Sequence, residues 1–166
     1  MDNEYIYIGK IVNTHGIKGE LRVISDFKYK NKVFLENRKI YISEDYICET
    51  INTYRHHKIY DMITLKGYNN INQVLKYLNQ SIYVKRNDLF LNDDEFLDND
   101  LINLNIIFDN KEVGKVLAIK KVGNNNKIIE AIINNKRTLI PYHKDFIKKI
   151  DINSGFIEMN LIEGMV

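Results

Sequence analysis

Short runs of apolar and β-branched residues, several of them alternating with polar residues, dominate the first half of the chain. Ile40 and Ile42 alternate with Tyr41 and Ser43, and a period of two is typical of half-buried strands. The runs predict six strands, over residues 5–13, 19–25, 38–43, 46–56, 59–66 and 81–86. A closed barrel would leave none of these short strands with an unpaired edge, so we predict a small six-stranded barrel.

One segment of this half follows a helical period instead. Ile71, Val74, Leu75 and Leu78 recur at spacings of three and four, and Asn70 stands where a helix N-cap is needed. We therefore predict one short helix packed on the barrel.

The second half repeats the β pattern and predicts a second small barrel. Strands are expected over residues 104–109, 112–122, 127–133, 137–141 and 156–161. Turn-forming residues separate them, among them the run 123–126, which reads Gly-Asn-Asn-Asn. Residues 143–149 are expected to form a helical turn.

An acidic stretch lies between the halves. Five of the nine residues in 92–100 are Asp or Glu, and like charges so close together disfavour a packed strand. The pattern predicts two domains, 1–90 and 99–166, joined by an exposed linker over 91–98. Phe96 and Leu97 interrupt the acidic run, and two interpretations stay open: the pair caps one of the cores, or it contacts a partner.

A glycine loop, His15-Gly16-Ile17-Lys18-Gly19, connects the first two predicted strands. Gly16 and Gly19 can adopt the positive φ angles that a tight connection requires. Two glycines beside a lysine are also compatible with a backbone nest for a phosphate. Because turn glycines are common and no known phosphate fingerprint is present, the structural interpretation is favoured.

The distribution of charge and the number of cysteines limit the kinds of site that this chain can form. The 166 residues carry a net charge of +2, but residues 1–90 hold 14 Lys and Arg against 10 Asp and Glu, whereas residues 91–166 hold 10 against 12. Phosphate-driven binding would therefore fall to the N-terminal half. Cys48 is the only cysteine, which excludes an internal disulfide and a cysteine-based zinc site.

Catalysis has little support in the sequence. The four histidines do not share a metal-ligand spacing, and no nucleophile elbow, kinase or zincin motif occurs. We therefore predict no catalytic residue, no metal and no cofactor. Nothing resembles a signal peptide, and no run approaches the roughly 20 apolar residues that cross a bilayer, so a cytoplasmic protein without a membrane partner is expected.

Several short motifs, in this order and spacing, resemble the ribosome maturation factor RimM family along nearly the whole chain. They are Gly9-Lys10-Ile11-Val12, His15-Gly16-Ile17-Lys18-Gly19-Glu20, Asp26-Phe27, Leu65-Lys66-Gly67-Tyr68-Asn69-Asn70, Asp100-Leu101-Ile102, Gly114-Lys115-Val116, Gly123-Asn124, Leu139-Ile140-Pro141-Tyr142, Ile150-Asp151 and Glu163-Gly164-Met165. The chain departs from the family at Phe96-Leu97, where two tyrosines often follow the linker glutamate, at Asn72-Gln73, where Ala-Glu is usual, and at Asn103, which replaces a glycine.

The resemblance implies an N-terminal barrel like those of translation factors and a C-terminal PRC-type barrel. It further implies a non-enzymatic factor for late assembly of the small-subunit head. Such a factor binds ribosomal protein nineteen and the immature small subunit and aids 16S rRNA processing, and direct contacts to 16S rRNA stay open. Glu95, Phe96, Leu97, His15 and Lys18 are the candidate partner-binding residues, Gly16 and Gly19 are structural, and a monomer is expected.

Two other functions remain open at this stage. One is direct RNA binding, or an RNA-acting enzyme, through the basic N-terminal half. The other is a general PRC-type interaction module without ribosomal association. The salt dependence of binding distinguishes direct RNA binding from an apolar protein contact, because affinity for phosphates falls steeply as the salt concentration rises.

Overall fold

The computed structural model describes residues 5–166. They form two compact units, which divide the chain between Phe90 and Leu91. Both units are built mainly from strands, which confirms the predicted fold class.

The first unit is a closed barrel of six strands. They are β1 (Tyr5–His15), β2 (Glu20–Ile24), β3 (Lys39–Ile42), β4 (Ile47–His57), β5 (Tyr60–Leu65) and β6 (Ser81–Lys85). Around the barrel the order is β1-β2-β5-β4-β3-β6, and β6 pairs back onto β1. All of these neighbours are antiparallel, and each predicted strand of this half lies within two residues of an observed one.

Alternation along the strands fills the barrel. Ile40 and Ile42 are buried and Lys39 is exposed, because successive side chains alternate between the two faces of a strand. Tyr41, predicted for the polar face, is also buried, and its ring packs edge-on against Tyr5 with the ring centroids 5.3 Å apart. The aliphatic core of the barrel consists of Ile8, Ile11, Leu21, Val23, Ile40, Ile42, Ile51, Ile63, Leu65, Ile82 and Val84.

The predicted helix begins where its cap was expected. Helix α2 (Ile71–Val74) follows α1 (Lys30–Val33), a short helix that no apolar period indicated. Asn70 and Gln73 cap α2 reciprocally, with the Asn70 side chain accepting from the Gln73 N–H. Residues 75–77 then tighten into a 3₁₀ turn, which shifts the period from 3.6 to 3 residues. Consequently Tyr77 is buried and Leu75, predicted for the apolar face, is exposed.

The second unit is a six-stranded sheet. Its strands are β7 (Asn105–Phe108), β8 (Lys111–Val122), β9 (Asn126–Ile133), β10 (Lys136–Pro141), β11 (Ile147–Asp151) and β12 (Phe156–Met159). The order is β10-β9-β8-β7-β12-β11. All pairs are antiparallel except β12 with β7, which is parallel.

The helical turn predicted over residues 143–149 is present only in part, because strand β11 begins at Ile147. One turn is present, since the N–H groups of Phe146 and Ile147 both donate to the His143 carbonyl. The chain then continues as a strand at the edge of the sheet. Lys148 and Lys149 are exposed there, and charged side chains on an edge strand hide its alternation from a sequence pattern.

The acidic segment is less exposed than expected. Asn92, Asp93 and Asp94 are exposed, but residues 95–98 are half-buried. Phe96 packs against the core of the second unit, so the expectation of an exposed linker holds only for its first part. Residues 98–101 form a 3₁₀ turn that ends in the buried Leu101.

Candidate binding surfaces

The glycine loop is a rigid connection anchored on the helix. Gly16 and Gly19 adopt φ angles of 69° and 92°, which non-glycine residues rarely take. A Cβ atom at Gly19 would lie 3.1 Å from the Asn70 carbonyl oxygen, whereas Gly16 faces open space. The Ile71 N–H donates to the Ile17 carbonyl at 2.9 Å. The loop therefore presents Lys18 and Ile17, which is 78% exposed, from a fixed backbone.

His15 stands at the end of β1 and contacts neighbouring strands. Its Nδ1 accepts a hydrogen bond from Arg22 Nη2 at 2.8 Å, so the neutral ring carries its proton on Nε2. The His57 ring lies 6.3 Å from the His15 ring. The Arg22 guanidinium also lies over the Tyr60 ring, 5.5 Å from its centroid. These residues bring β1, β2, β4 and β5 to one patch on the outer face of the barrel.

Glu20 and Arg55 form an ion pair beside this patch. Arg55 donates from Nε and Nη2 to the two carboxylate oxygens of Glu20 at 2.9 and 2.7 Å. This hydrogen bonding, with the positive field of Arg55, His15 and His57, holds the pKa of Glu20 below its usual value although partial burial opposes the shift.

His57 is surrounded by positive charge. Desolvation lowers its pKa, and Arg55, Lys58, His15 and Arg22 lower it further. We call the patch formed by His15, Arg22, Arg55, His57 and Lys58 the basic face. An anion placed there would reverse the electrostatic part of this shift, because negative charge favours the imidazolium form.

A buried carboxylate stabilises another part of the barrel. Asp61 is 1% exposed, accepts from Tyr54 Oη at 2.7 Å and pairs with Lys30 Nζ at 2.9 Å. Burial, together with the hydrogen bond to Asp61, raises the pKa of Tyr54 to about 12. Because its charge is compensated within the protein, Asp61 is a structural group that ties α1 to β5.

The second candidate surface is the segment Glu95–Asp100, in the second unit. Its acids serve local structure: Glu95 accepts from the Asn92 N–H at 2.9 Å, Asp100 accepts from the Leu97 N–H at 2.9 Å, and Asp98 pairs with Lys127 at 2.6 Å. Phe96 contacts the core and Leu97 is half-buried. Asp93 and Asp94 are exposed beside them.

The predicted site residues therefore form two groups. His15 and Lys18 lie at the glycine loop of the first unit, and Glu95, Phe96 and Leu97 lie in the second. Sequence patterns missed Arg22, Arg55 and His57, because strands distant in sequence bring them to His15. One indication of these residues was present in the sequence, because alternation along β2 and β4 places their side chains on the outer face of the barrel.

The described residues contain neither a metal-binding cluster nor a membrane-spanning helix. Within residues 5–166 no group of three or more His, Cys, Asp or Glu side chains is arranged to hold a metal ion. No helix in this range is long and apolar enough to span a membrane.

Comparison with known proteins matches both units to family models. The model of the RimM N-terminal domain matches residues 6–89, and that of the RimM PRC barrel domain matches residues 98–165.

Similar proteins also match over nearly their full length. A protein named ribosome maturation factor RimM from Oceanobacillus iheyensis is 35% identical, with 96% of this chain and 95% of the relative covered. The protein of the same name from Bacillus subtilis is 34% identical over 100% and 99%. A crystal structure titled as a 16S ribosomal RNA processing protein RimM from Pseudomonas aeruginosa is 20% identical, with a TM-score of 0.47 over 96% of this chain and 98% of that one.

Proposed function

Because this chain belongs to the ribosome maturation factor RimM family, we propose that it assists late assembly of the head of the small ribosomal subunit. In this proposal it is a cytoplasmic, monomeric, non-enzymatic factor. It binds ribosomal protein nineteen of the small subunit and is needed for efficient processing of 16S rRNA. The observation that carries the proposal is the match of two family models, in order, over both units.

The second unit offers the surface for a protein partner. Leu97 is half-buried beside Phe96, and the exposed Asp93 and Asp94 precede them. An apolar group within a charged rim is typical of an interface anchor. Since Glu95, Asp98 and Asp100 are engaged locally, Asp93 and Asp94 provide the charge that attracts a basic ribosomal protein.

The first unit offers a separate contact through the glycine loop. Lys18 and Ile17 project from a backbone that α2 holds in place, so binding orders few additional groups. A factor with two contact surfaces stabilises the productive conformation of a forming site and dissociates when mature contacts replace it.

The experiment is sedimentation of a lysate from the cells that make the protein. We expect the chain to travel with immature small subunits and to be depleted from mature subunits. Cells lacking it should accumulate precursor 16S rRNA. A chain that stays at the top of the gradient, in cells whose rRNA is processed normally, would refute the proposed function.

A further inference from the structure

The basic face carries a surplus of positive charge. Arg22, Arg55 and Lys58 are positive at neutral pH, and Glu20 compensates one of them. His57 adds an imidazole whose protonated form a nearby anion would favour. An attractive field for anions therefore covers this side of the barrel.

Two guanidinium groups of the face are held in place before any ligand binds. Arg22 is oriented by His15 and by the Tyr60 ring, and its Nε is buried without a hydrogen-bond partner among residues 5–166. Arg55 is oriented by its two hydrogen bonds to Glu20. A guanidinium group that is already oriented loses little conformational freedom when a phosphate oxygen binds to its remaining N–H groups.

The chemistry of the face favours RNA over an acidic protein. Its five members are all charged or imidazole side chains, and the apolar Ile59, which is 70% exposed, follows Lys58 in the turn between β4 and β5. Protein interfaces concentrate apolar groups at the centre and exclude charge from it, whereas contacts to nucleic acid are polar, positively charged and directed mainly at phosphates.

We propose that the basic face, His15, Arg22, Arg55, His57 and Lys58, binds the phosphodiester backbone of RNA. The inference rests on the proposed function, which places the protein beside the rRNA of a forming subunit. It adds a site on the first unit that is independent of the apolar segment in the second. Arg22 and Lys58 contact phosphates, Tyr60 positions Arg22, and Glu20 positions Arg55.

Binding of a transcript of the 16S rRNA head domain to the full chain tests this site. Two variants remove charge: Arg22→Gln, and Lys58→Asn, which suits the positive φ of 54° at that position. Each should weaken binding roughly fivefold near 0.15 M salt and reduce the slope of log K against log salt by about 0.7–0.9. The control is Lys39→Gln, which removes an exposed charge from β3, outside the face, and should retain more of both affinity and slope.

Histidine titration by NMR gives a second readout. Saturation with the transcript should raise the pKa of His57, because nearby phosphates favour the imidazolium ion. His143, in the second unit, is the internal reference.

Wild-type affinity and salt slope in both variants would overturn the site, as would an unchanged His57 pKa at saturation. Reduced binding to an acidic protein with unchanged binding to RNA would assign the face to a protein partner and also overturn it. Sedimentation of the wild-type chain separates the two proposals. If it binds the transcript through this face but does not travel with immature subunits, the site stands and the proposed function fails.

Discussion

Arg55 of β4 binds both carboxylate oxygens of Glu20 at the start of β2, although the two strands are separated in the barrel by β5. Met62 lies opposite both Arg22 and Arg55 in the ladders on either side of β5. The Glu20–Arg55 ion pair therefore reaches across β5 and orients the Arg55 guanidinium in the basic face.

We expect Glu20→Gln to lower the stability of the first unit at pH 7. The folded-state pKa of Glu20 is depressed, so its contribution is present above the unfolded-state pKa and is lost as pH falls through the folded-state value. The difference in free energy of unfolding between the variant and the wild type should disappear in acid. Denaturant unfolding from pH 7 to pH 3 measures it, and a difference independent of pH would contradict the assignment.

Gly19 and Gly16 should differ in their tolerance of a side chain. Gly19→Ala combines a positive φ with a close contact to Asn70, and we expect a loss of about 2–3 kcal/mol. Gly16→Ala meets only the backbone strain and should cost about 1 kcal/mol. Gly16→Asn is the matched control, because asparagine tolerates this conformation better. Equal unfolding free energies for the two alanine variants would contradict the packing of Gly19 on Asn70.

Lys18→Ala should leave stability nearly unchanged, because its side chain is exposed. We expect it to weaken association with immature small subunits. Thermal unfolding and sedimentation of the same preparation provide the two measurements, and a normal distribution in the gradient would remove Lys18 from the partner surface.

Tyr54 should ionise late. Its pKa of about 12 lies above that of the unfolded chain, so its contribution to stability is present below about pH 10 and is lost as pH rises toward 12. Tyr54→Phe should cost about 1–3 kcal/mol at pH 7, since it leaves the buried Asp61 with one fewer donor. Absorbance titration should show one fewer late-ionising tyrosine in this variant, and an unchanged count would contradict the Asp61 contact.

The two units should fold separately, and the boundary is sharper than the acidic run suggests. A fragment of residues 91–166 should unfold cooperatively, and we expect residues 99–166 to be soluble and folded but less stable, since they lack Phe96. Calorimetric melting of both fragments beside the full chain measures this. An unfolded 91–166 fragment would refute independent folding.

Truncation of Phe96 should mainly lower stability, whereas truncation of Leu97 should mainly lower affinity for the partner. Phe96→Ala removes a side chain that packs on the core, and we expect a loss of about 1–3 kcal/mol of stability. Leu97→Ala should instead weaken binding to ribosomal protein nineteen by about 1–2 kcal/mol. Ile162→Ala, which truncates an exposed apolar residue of this unit outside the segment Glu95–Asp100, is the control. Normal affinity with a large loss of stability in Leu97→Ala would assign both residues to the core.

Local sequence patterns determined the features that local physics controls. Alternation placed the strands of the barrel, Asn70 and Gln73 marked the start of α2, and Gly16 and Gly19 marked a turn of positive φ. Each depends on residues close in sequence, where side-chain direction, capping and backbone sterics decide the conformation.

Tertiary structure alone decided which distant residues meet. His15 reaches Arg22 and His57 because β2 and β5 hold the ends of β1 and β4 in register, and register between strands is invisible to a local pattern. Phe96 lies within the acidic run but packs against the core of the second unit. The free energy gained by burying its aromatic ring outweighs the preference of its charged neighbours for water. The strand at Ile147–Asp151 forms because it pairs with β12. Its two lysines interrupt the apolar alternation, so the sequence pattern does not predict a strand there.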